Sequence, residues 1–291
     1  MKSKKILTLL FTTALLAAMT VGFAGCSSKQ ADSVPAGESQ TNTAEKKVLK
    51  IGMECAYAPF NWTQTTDENG ALPIAEVGGF ANGYDIMVSK MISEELGYDV
   101  EIYKTEWDSL ILAVNSGKID AVIAGMAKTE KRKLSVDFTD TYYVADIVAV
   151  TMKGNKFENA KSLEDLTGAK VTSQVATIWY DTIEAQLQNA TITPPVDSTP
   201  STITTLTSGK SDVIVIDMPT ALAAQMANPD MVILDLTDGD FDTSSEDTDF
   251  GIAVKKGNTE LVEELNKVIS NLSDAKKEEL MKKALEIQPL S

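Results

Sequence analysis

An eleven-residue segment occurs twice in the chain, and this internal repeat limits the possible folds more than any other feature of the sequence. Residues 116–126 read SGKIDAVIAGM, and residues 208–218, 92 positions later, read SGKSDVIVIDM. Ser, Gly, Lys, Asp and Met recur in register, and two further positions exchange valine and isoleucine. A repeat at a fixed spacing indicates two copies of one supersecondary unit. We therefore predict a body of two similar lobes.

Helices and apolar strands alternate around both copies of the repeat. The first copy predicts a helix over residues 110–115 and a strand over 121–124, and the second a helix over 203–207 and a strand over 213–216. Both strands are apolar on both faces, which is typical of a parallel sheet covered by helices. Each lobe is therefore predicted to be an α/β unit of the βαβ type, and ligands of such sheets bind beyond the carboxyl ends of the strands.

Further elements extend both units. Apolar runs predict short strands, and breaker-free stretches with apolar residues at helical spacing predict helices. The expected strands lie at residues 49–53, 100–103 and 191–193, and the expected helices at 86–96, 178–187, 259–272 and 275–287.

The predicted elements imply that the chain crosses between the lobes twice. Residues 146–152 would leave the first lobe and residues 247–254 would return to it. Lobe 1 is then expected to comprise residues 47–146 and 251–291, and lobe 2 residues 147–250. Two extended crossings form a hinge about which the lobes can close on a ligand.

The N-terminal segment resembles an export signal followed by a tether. Residues 1–25 begin with lysines, continue with an apolar run and end in small residues, as secretory signal peptides do. A transmembrane helix is the alternative, but the run is short and no stop-transfer charges follow it. Small residues before Cys26 resemble a bacterial lipobox, which implies acyl chains such as palmitate on that cysteine and an anchor at the extracytoplasmic face of the cell membrane. Residues 26–46 are mostly small and polar, which favours a flexible tether.

Composition excludes several classes of function. The net charge of −16 argues against a nucleic-acid partner, because phosphate backbones require a basic surface. The chain has no histidine, so Ser-His-Asp and Cys-His catalysis and histidine metal ligands are excluded. Its two cysteines cannot make a disulfide framework. We expect no catalytic residue, no metal site and no cofactor.

Two opposite charges follow the repeated strands. Arg132 lies in a short turn after the first strand, where Thr129 is a suitable helix N-cap and the guanidinium could bind a carboxylate through two hydrogen bonds. A solvated surface arginine is the alternative. Asp217 ends the second strand and could cap the next helix, bind an ammonium, or do both. If the lobes face each other, this pair has the charge pattern of a bound α-amino acid.

Other candidate residues lie near the same strand ends. Thr177 begins a predicted helix, whose first N–H groups could bind an anion. Glu54 and Tyr57 follow the first strand, and Trp107 begins the second helix. Aromatic faces at a pocket can enclose an apolar stem or a guanidinium, and Glu54 could then meet a cationic or amide side chain.

Five stretches of the sequence match a known pattern in order and context: residues 51–62, 82–97, 107–143, which include the highly specific TEKRKLSVDFTDTYY, 171–177 and 212–217. Together they resemble the amino-acid-binding proteins of bacterial ABC importers, the solute-binding protein family 3. The resemblance covers about residues 48–286 and implies the type II periplasmic-binding-protein fold, with two βαβ-type lobes joined by two hinge strands. It also implies that a monomer captures a free amino acid and delivers it to a permease in the membrane.

The resemblance implies how the common part of an amino acid would be held. Arg132 and the Thr177 region would bind the α-carboxylate, and Asp217 and the carbonyl of Gly125 would bind the α-ammonium. Ala127 stands where the family often has Ser or Thr, so one hydroxyl for the carboxylate is missing.

The resemblance also implies a subsite for the ligand side chain. Tyr57 and Trp107 would flank that side chain, with Glu54 near its tip. Arginine, lysine or another cationic amino acid is favoured, and glutamine or another polar amino acid stays open because a carboxylate also accepts hydrogen bonds from an amide. The family usually has Gly where Ala176 stands.

Two other classes of function stay open at this point. One is an enzyme on the same fold, such as a dehydratase, in which Asp108, Glu54 and Asp217 would supply acid or base groups. The other is a sensory binding module read by a separate receptor. We favour capture without chemistry.

Overall fold

The computed structural model describes residues 47–289. The predicted signal peptide (1–25), Cys26 and the tether lie outside the described residues. In the described part of the chain, no helix combines the length and apolar character needed to cross a membrane.

Fourteen strands and nine α-helices are formed by the described residues. Their order is β1 Val48–Met53, β2 Ala56–Tyr57, β3 Asn61–Gln64, β4 Leu72–Pro73, β5 Phe80–Asn82, α1 Tyr84–Leu96, β6 Asp99–Lys104, α2 Leu110–Ser116, β7 Ala121–Val122, α3 Glu130–Lys133, β8 Val136–Val144, β9 Ile147–Met152, β10 Lys170–Thr172, α4 Ile178–Gln186, β11 Thr191–Ile192, α5 Thr199–Thr207, β12 Val213–Asp217, α6 Met218–Ala227, β13 Met231–Ile233, α7 Ser245–Thr248, β14 Asp249–Lys255, α8 Thr259–Ile269 and α9 Asp274–Ile287. Short 3-10 helices add Glu68–Gly70, Trp107–Ser109 and Glu164–Leu166.

Two five-stranded sheets have the same arrangement of strands. The first has the order β6-β1-β7-β14-β8, and the second has the order β11-β10-β12-β9-β13. In each sheet the first three strands are parallel and the last two run antiparallel to their neighbours. The repeated segment supplies the middle strand of both sheets, β7 and β12. The predicted two-lobed α/β fold is therefore confirmed.

The chain passes between the sheets twice. β8 belongs to the first sheet and β9 to the second, so the first crossing lies between Val144 and Ile147. β14 returns to the first sheet, where Asp249 pairs with Val144. Helices α8 and α9 then contact α1 of the first lobe. The lobe boundaries at 146/147 and 250/251 stay predictions.

The repeated strands are buried because their two faces are apolar and covered. All four residues of 213–216 are fully buried, with α4 and α5 packed against β12. In the first copy the predicted strand 121–124 pairs only at Ala121 and Val122. Beyond Val122 the N–H of Ile123 still donates to Gly52 of β1. The chain then turns at Gly125, which has a φ of 59° and whose N–H donates to the Tyr142 hydroxyl.

A small four-stranded sheet, β2-β3-β5-β4, follows β1. The sequence analysis did not predict it, because its strands have only two to four residues. It connects the end of β1 to the start of α1, so it positions the residues between Glu54 and Asp85.

Candidate functional site

A partly enclosed cavity lies where the strand ends of both sheets meet. Its volume is about 20 Å³, room for roughly one water molecule. Seven of the eight predicted site residues line it, and the eighth, Asp217, is hydrogen-bonded to one of the seven. The lining residues are Glu54, Tyr57, Trp107, Gly125, Ala127, Arg132, Gln174, Thr177, Ile178, Trp179 and Phe250.

Asp217 ends β12 and begins α6, and its carboxylate is fully buried. One oxygen caps α6 by accepting from the N–H of Thr220 at 2.9 Å. The other oxygen accepts from the hydroxyl of Tyr57, in the opposite lobe, at 2.8 Å. Burial raises the pKa of Asp217, and these bonds oppose that rise. A fixed, buried carboxylate of this kind suits an ammonium ligand, because an opposite charge is most strongly favoured where water is excluded.

Arg132 is the only arginine of the chain, and α3 holds it at the cavity. Thr129 caps α3 by accepting from the N–H of Arg132. The guanidinium donates to the carbonyls of Ala127 and Ala176 at 2.9 and 3.1 Å and lies 5.2 Å from the centre of the Trp107 ring. Burial lowers the pKa of Arg132 to about 10, so it stays charged at neutral pH. Within residues 47–289, no carboxylate forms an ion pair with it.

The turn from β10 into α4 faces Arg132 across the cleft. Thr177 caps α4 by accepting from the N–H of Tyr180, and its own hydroxyl donates to the carbonyl of Gln174. Ala176 has a φ of 57°, a conformation that favours glycine. Its carbonyl also accepts from the indole N–H of Trp107 at 3.0 Å. The turn therefore contacts two residues of the opposite lobe.

Glu54 follows β1 and is buried, and among residues 47–289 its carboxylate accepts from one side chain. Both of its oxygens accept from the amide of Gln174, in the other lobe, at 3.2 Å. Burial raises the pKa of Glu54 to about 7, the bond from Gln174 opposes the rise, and the nearby charges of Glu106 and Asp197 add to it. A cationic group at this position would replace an amide donor and favour the ionised carboxylate.

Aromatic rings form part of the cavity wall. The Tyr57 ring stacks on Phe60 at 4.8 Å and lies 5.8 Å from the ring of Trp179. Gly125 approaches Tyr57 so closely that an added Cβ would lie 2.6 Å from its ring. Two of the three tryptophans, Trp107 and Trp179, line the cavity. These rings supply apolar surface around the four polar groups described above.

Four residues of this cavity were not predicted from the sequence: Gln174, Ile178, Trp179 and Phe250. Gln174 lies in a stretch that the resemblance quoted, and its side chain oxygen accepts from Thr199 while its amide reaches Glu54. Its position at a strand end was the available signal. The indole N–H of Trp179 is buried without a hydrogen-bond partner among the residues that the structure describes.

The described residues contain no cluster of His, Cys, Asp or Glu suited to a metal ion. The site instead offers one guanidinium, two buried carboxylates and a helix N-terminus around a small apolar cavity. This arrangement can hold a dipolar molecule by its charged groups.

A family model and a curated relative both match most of this chain. A family model described as "Bacterial extracellular solute-binding proteins, family 3" matches residues 49–286. A probable histidine-binding protein from Campylobacter jejuni is 30% identical over 223 residues, which cover 76% of this chain and 79% of the relative.

Two solved structures share the fold. An amino acid ABC transporter substrate-binding protein from Streptococcus pneumoniae, bound to L-arginine, has a TM-score of 0.70 and 28% identity, covering 82% of this chain and 94% of that chain. An ancestral amino-acid-binding protein, described as a precursor of cyclohexadienyl dehydratase, has a TM-score of 0.67 and 29% identity, covering 82% of this chain and 95% of that chain.

Proposed function

Because the chain belongs to family 3 of the bacterial extracellular solute-binding proteins, we propose that it captures a free amino acid outside the cytoplasm and delivers it to the permease of an ABC importer. The amino acid docks between the lobes, and the lobes close about the two crossings of the chain. The ligand leaves the site chemically unchanged.

A single observation carries this proposal. Arg132 of the first lobe and Asp217 of the second meet at one cavity, the former lining it and the latter bonded to the lining residue Tyr57. A guanidinium binds a carboxylate through parallel hydrogen bonds, and a buried carboxylate binds an ammonium. In the proposed complex, Arg132 and the start of α4 at Thr177 hold the α-carboxylate, and Asp217 with the Gly125 carbonyl holds the α-ammonium.

We propose a cationic ligand such as arginine or lysine. Glu54 is a buried carboxylate at the cavity, and Tyr57 and Trp107 provide aromatic faces on which a guanidinium or an aliphatic stem can lie. The Streptococcus pneumoniae relative bound to L-arginine supports this choice. Glutamine or another polar amino acid is the alternative, because Glu54 already accepts from the amide of Gln174.

Binding requires the lobes to separate first. The enclosed volume of about 20 Å³ has room for roughly one water molecule. Contacts from Tyr57 to Asp217 and from Gln174 to Glu54 join the lobes directly. An incoming amino acid therefore replaces these contacts with its own ammonium and side chain.

A dehydratase-like enzyme is the second candidate, and the ancestral relative described as a dehydratase precursor is the observation in its favour. We favour binding without catalysis, since the charged groups at the cavity match the charges of an amino acid. A separate sensory receptor that reads the closed form is compatible with the same site.

The proposed location is the extracytoplasmic face of the cell membrane. It follows from the sequence before residue 47, where Cys26 would carry the lipid anchor and residues 26–46 would be the tether. We propose that the protein acts there as a monomer.

A thermal-shift screen of the twenty amino acids tests the function. Micromolar affinity corresponds to about −8 kcal/mol, and a hundredfold excess of ligand over Kd then stabilises the fold by about 2.7 kcal/mol. We expect arginine or lysine to raise the Tm by about 5–10 °C. Native mass spectrometry of the complex then identifies the bound molecule. A screen in which no amino acid raises the Tm contradicts the proposal, and a bound molecule altered from the one added favours the enzyme.

A further inference from the structure

Asp85 lies in the first turn of α1, outside the cavity, and its side chain is 0% exposed. Its two carboxylate oxygens accept one hydrogen bond each. The side-chain amide of Asn61 donates to one at 2.7 Å, and the hydroxyl of Tyr142 donates to the other at 2.8 Å. Burial raises the pKa of Asp85 to about 7, and the two bonds oppose that rise. A buried carboxylate is costly to keep, so its partners indicate what it is there to hold.

The first chain of contacts from Asp85 leads to Gly125. The hydroxyl oxygen of Tyr142 donates its hydrogen to Asp85 and accepts from the N–H of Gly125 at 2.7 Å. Both partners are buried, and Gly125 has a left-handed φ of 59°. This bond fixes a backbone position that only glycine fits comfortably beside the Tyr57 ring. The carbonyl of this residue belongs to the proposed ammonium subsite.

The second chain of contacts leads to Glu54. The side-chain oxygen of Asn61 accepts from the N–H of Cys55 at 2.7 Å. Cys55 has a φ of 55°, which is uncommon for a residue other than glycine and needs support from its surroundings. The peptide bond between Glu54 and Cys55 is planar, so fixing the N–H of Cys55 also fixes the carbonyl of Glu54. This fixes the backbone that carries the Glu54 side chain, and with it the proposed side-chain subsite.

The Asp85 carboxylate determines which group donates and which accepts in both chains of hydrogen bonds. Both oxygens of Asp85 accept in this arrangement, so Asn61 presents its NH₂ group to Asp85 and its oxygen to the N–H of Cys55. Tyr142 must likewise donate its single hydrogen to Asp85, which leaves its oxygen to accept from Gly125. An amide at position 85 would present a donor to one of these two partners and reverse or break that chain.

We propose that Asp85 is a positioning residue for ligand binding, acting through Tyr142 on the ammonium subsite at Gly125 and through Asn61 on the side-chain subsite at Glu54. This inference rests on the proposed function. The residue lies in the sequence Asn82-Gly-Tyr-Asp85 and is not among the residues that line the cavity.

Calorimetric titration with L-arginine and its neutral isostere L-citrulline tests the two chains of hydrogen bonds from Asp85 separately. Tyr142→Phe removes the acceptor of the Gly125 N–H, so we expect about tenfold weaker binding of both ligands and an unchanged ratio of their affinities. Asn61→Ala releases Cys55, so we expect arginine to lose about tenfold more affinity than citrulline. A purely structural role would lower the unfolding temperature without splitting the two ligands in this way.

Tyr84→Phe is the matched control. Tyr84 is also fully buried, and its hydroxyl donates to the backbone carbonyl of Tyr142 at 2.8 Å. Its loss removes a buried hydrogen bond but leaves the side-chain bonds of Tyr142 to Asp85 and Gly125 in place. We expect its arginine affinity to stay within about twofold of the wild type. Asp85→Asn should show both losses together. If it fails to fold, Tyr142→Phe and Asn61→Ala, which each break one chain of hydrogen bonds, carry the test. Wild-type affinities in both Tyr142→Phe and Asn61→Ala would overturn the inference, as would an equal loss in Tyr84→Phe. A wild-type protein that binds neither ligand would instead contradict the proposed cationic specificity.

Discussion

Glu54 is buried and lines the cavity, so its protonation state affects which ligand the site prefers. Burial raises the pKa of the carboxyl to about 7, with the negative charges of Glu106 and Asp197 adding to the effect. A cationic side chain binds the ionised carboxylate, so it must displace a proton whenever Glu54 is protonated. The charge of the ligand and the pH of the medium are therefore coupled at this residue.

We predict that the affinity for arginine rises by about tenfold between pH 6 and pH 8. Below the pKa, Glu54 is protonated in the free protein and binding releases a proton. Above it, the carboxylate is already ionised. Calorimetry in buffers of different ionisation enthalpy measures both the affinity and the proton released.

Glu54→Gln is the control for this pH dependence, since Asp85 and Asp217 also have raised pKa values. The variant should bind arginine weakly and with a flat profile over the same range. A flat profile in the wild type would show that Glu54 does not contact a cationic group of the ligand.

At the scale of elements, the turn between β10 and α4 carries backbone strain at the site. Ala176 adopts a φ of 57°, where an L-residue with a Cβ is disfavoured. Its carbonyl is held by Trp107 and Arg132 of the first lobe. The resemblance to the family had placed glycine here, and the observed φ gives the physical reason for that preference.

We predict that Ala176→Gly stabilises the free protein. Removing the Cβ relieves about 1 kcal/mol of left-handed strain, partly offset by the greater flexibility of glycine in the unfolded chain. The expected rise in Tm is about 2 °C by thermal unfolding. Ala145→Gly is the comparison, because Ala145 is buried without a positive φ, and it should lower the Tm instead. A lower Tm in both variants would contradict the account of the turn.

Most helices and strands could be predicted from the sequence because their apolar patterns are regular. The helix predicted over 86–96 is observed as α1, Tyr84–Leu96, and the predicted strand 100–103 as β6, Asp99–Lys104. The small sheet that follows β1 could not be predicted, since strands of two to four residues have no measurable periodicity. The antiparallel pairing of β9 with β12 and of β14 with β7 depends on contacts between distant segments, which local patterns do not record.

At the scale of the whole molecule, the repeat was sufficient to predict two lobes, and it only suggested a cleft between them. Family membership and the two-lobed fold are confirmed. Seven of the eight predicted site residues line one cavity, and Asp217 is hydrogen-bonded to one of them, Tyr57. Gln174 was missed because a glutamine at a strand end has no distinctive spacing, and its role depends on Glu54 of the other lobe. The roles of the eight site residues stay predictions.

The proposed anchor can be tested on the intact chain. We predict that Cys26→Ser moves the protein from the membrane fraction to the soluble fraction of expressing cells, because the acyl chains have no other attachment point in the lipobox. Cys55→Ser changes the only other cysteine, which is buried in the first lobe, and should leave the protein in the membrane fraction. Membrane retention of Cys26→Ser would contradict the lipid anchor.

The proposed function depends most on the joint binding of one amino acid by Arg132 and Asp217. Calorimetry of Asp217→Asn with the amino acid selected by the thermal-shift screen tests this most directly, since asparagine still caps α6 but has no charge for the ammonium. We predict an affinity about a hundredfold weaker than that of the wild type, with a Tm of the free protein close to the wild-type value. An affinity within about twofold of the wild type would contradict the central claim.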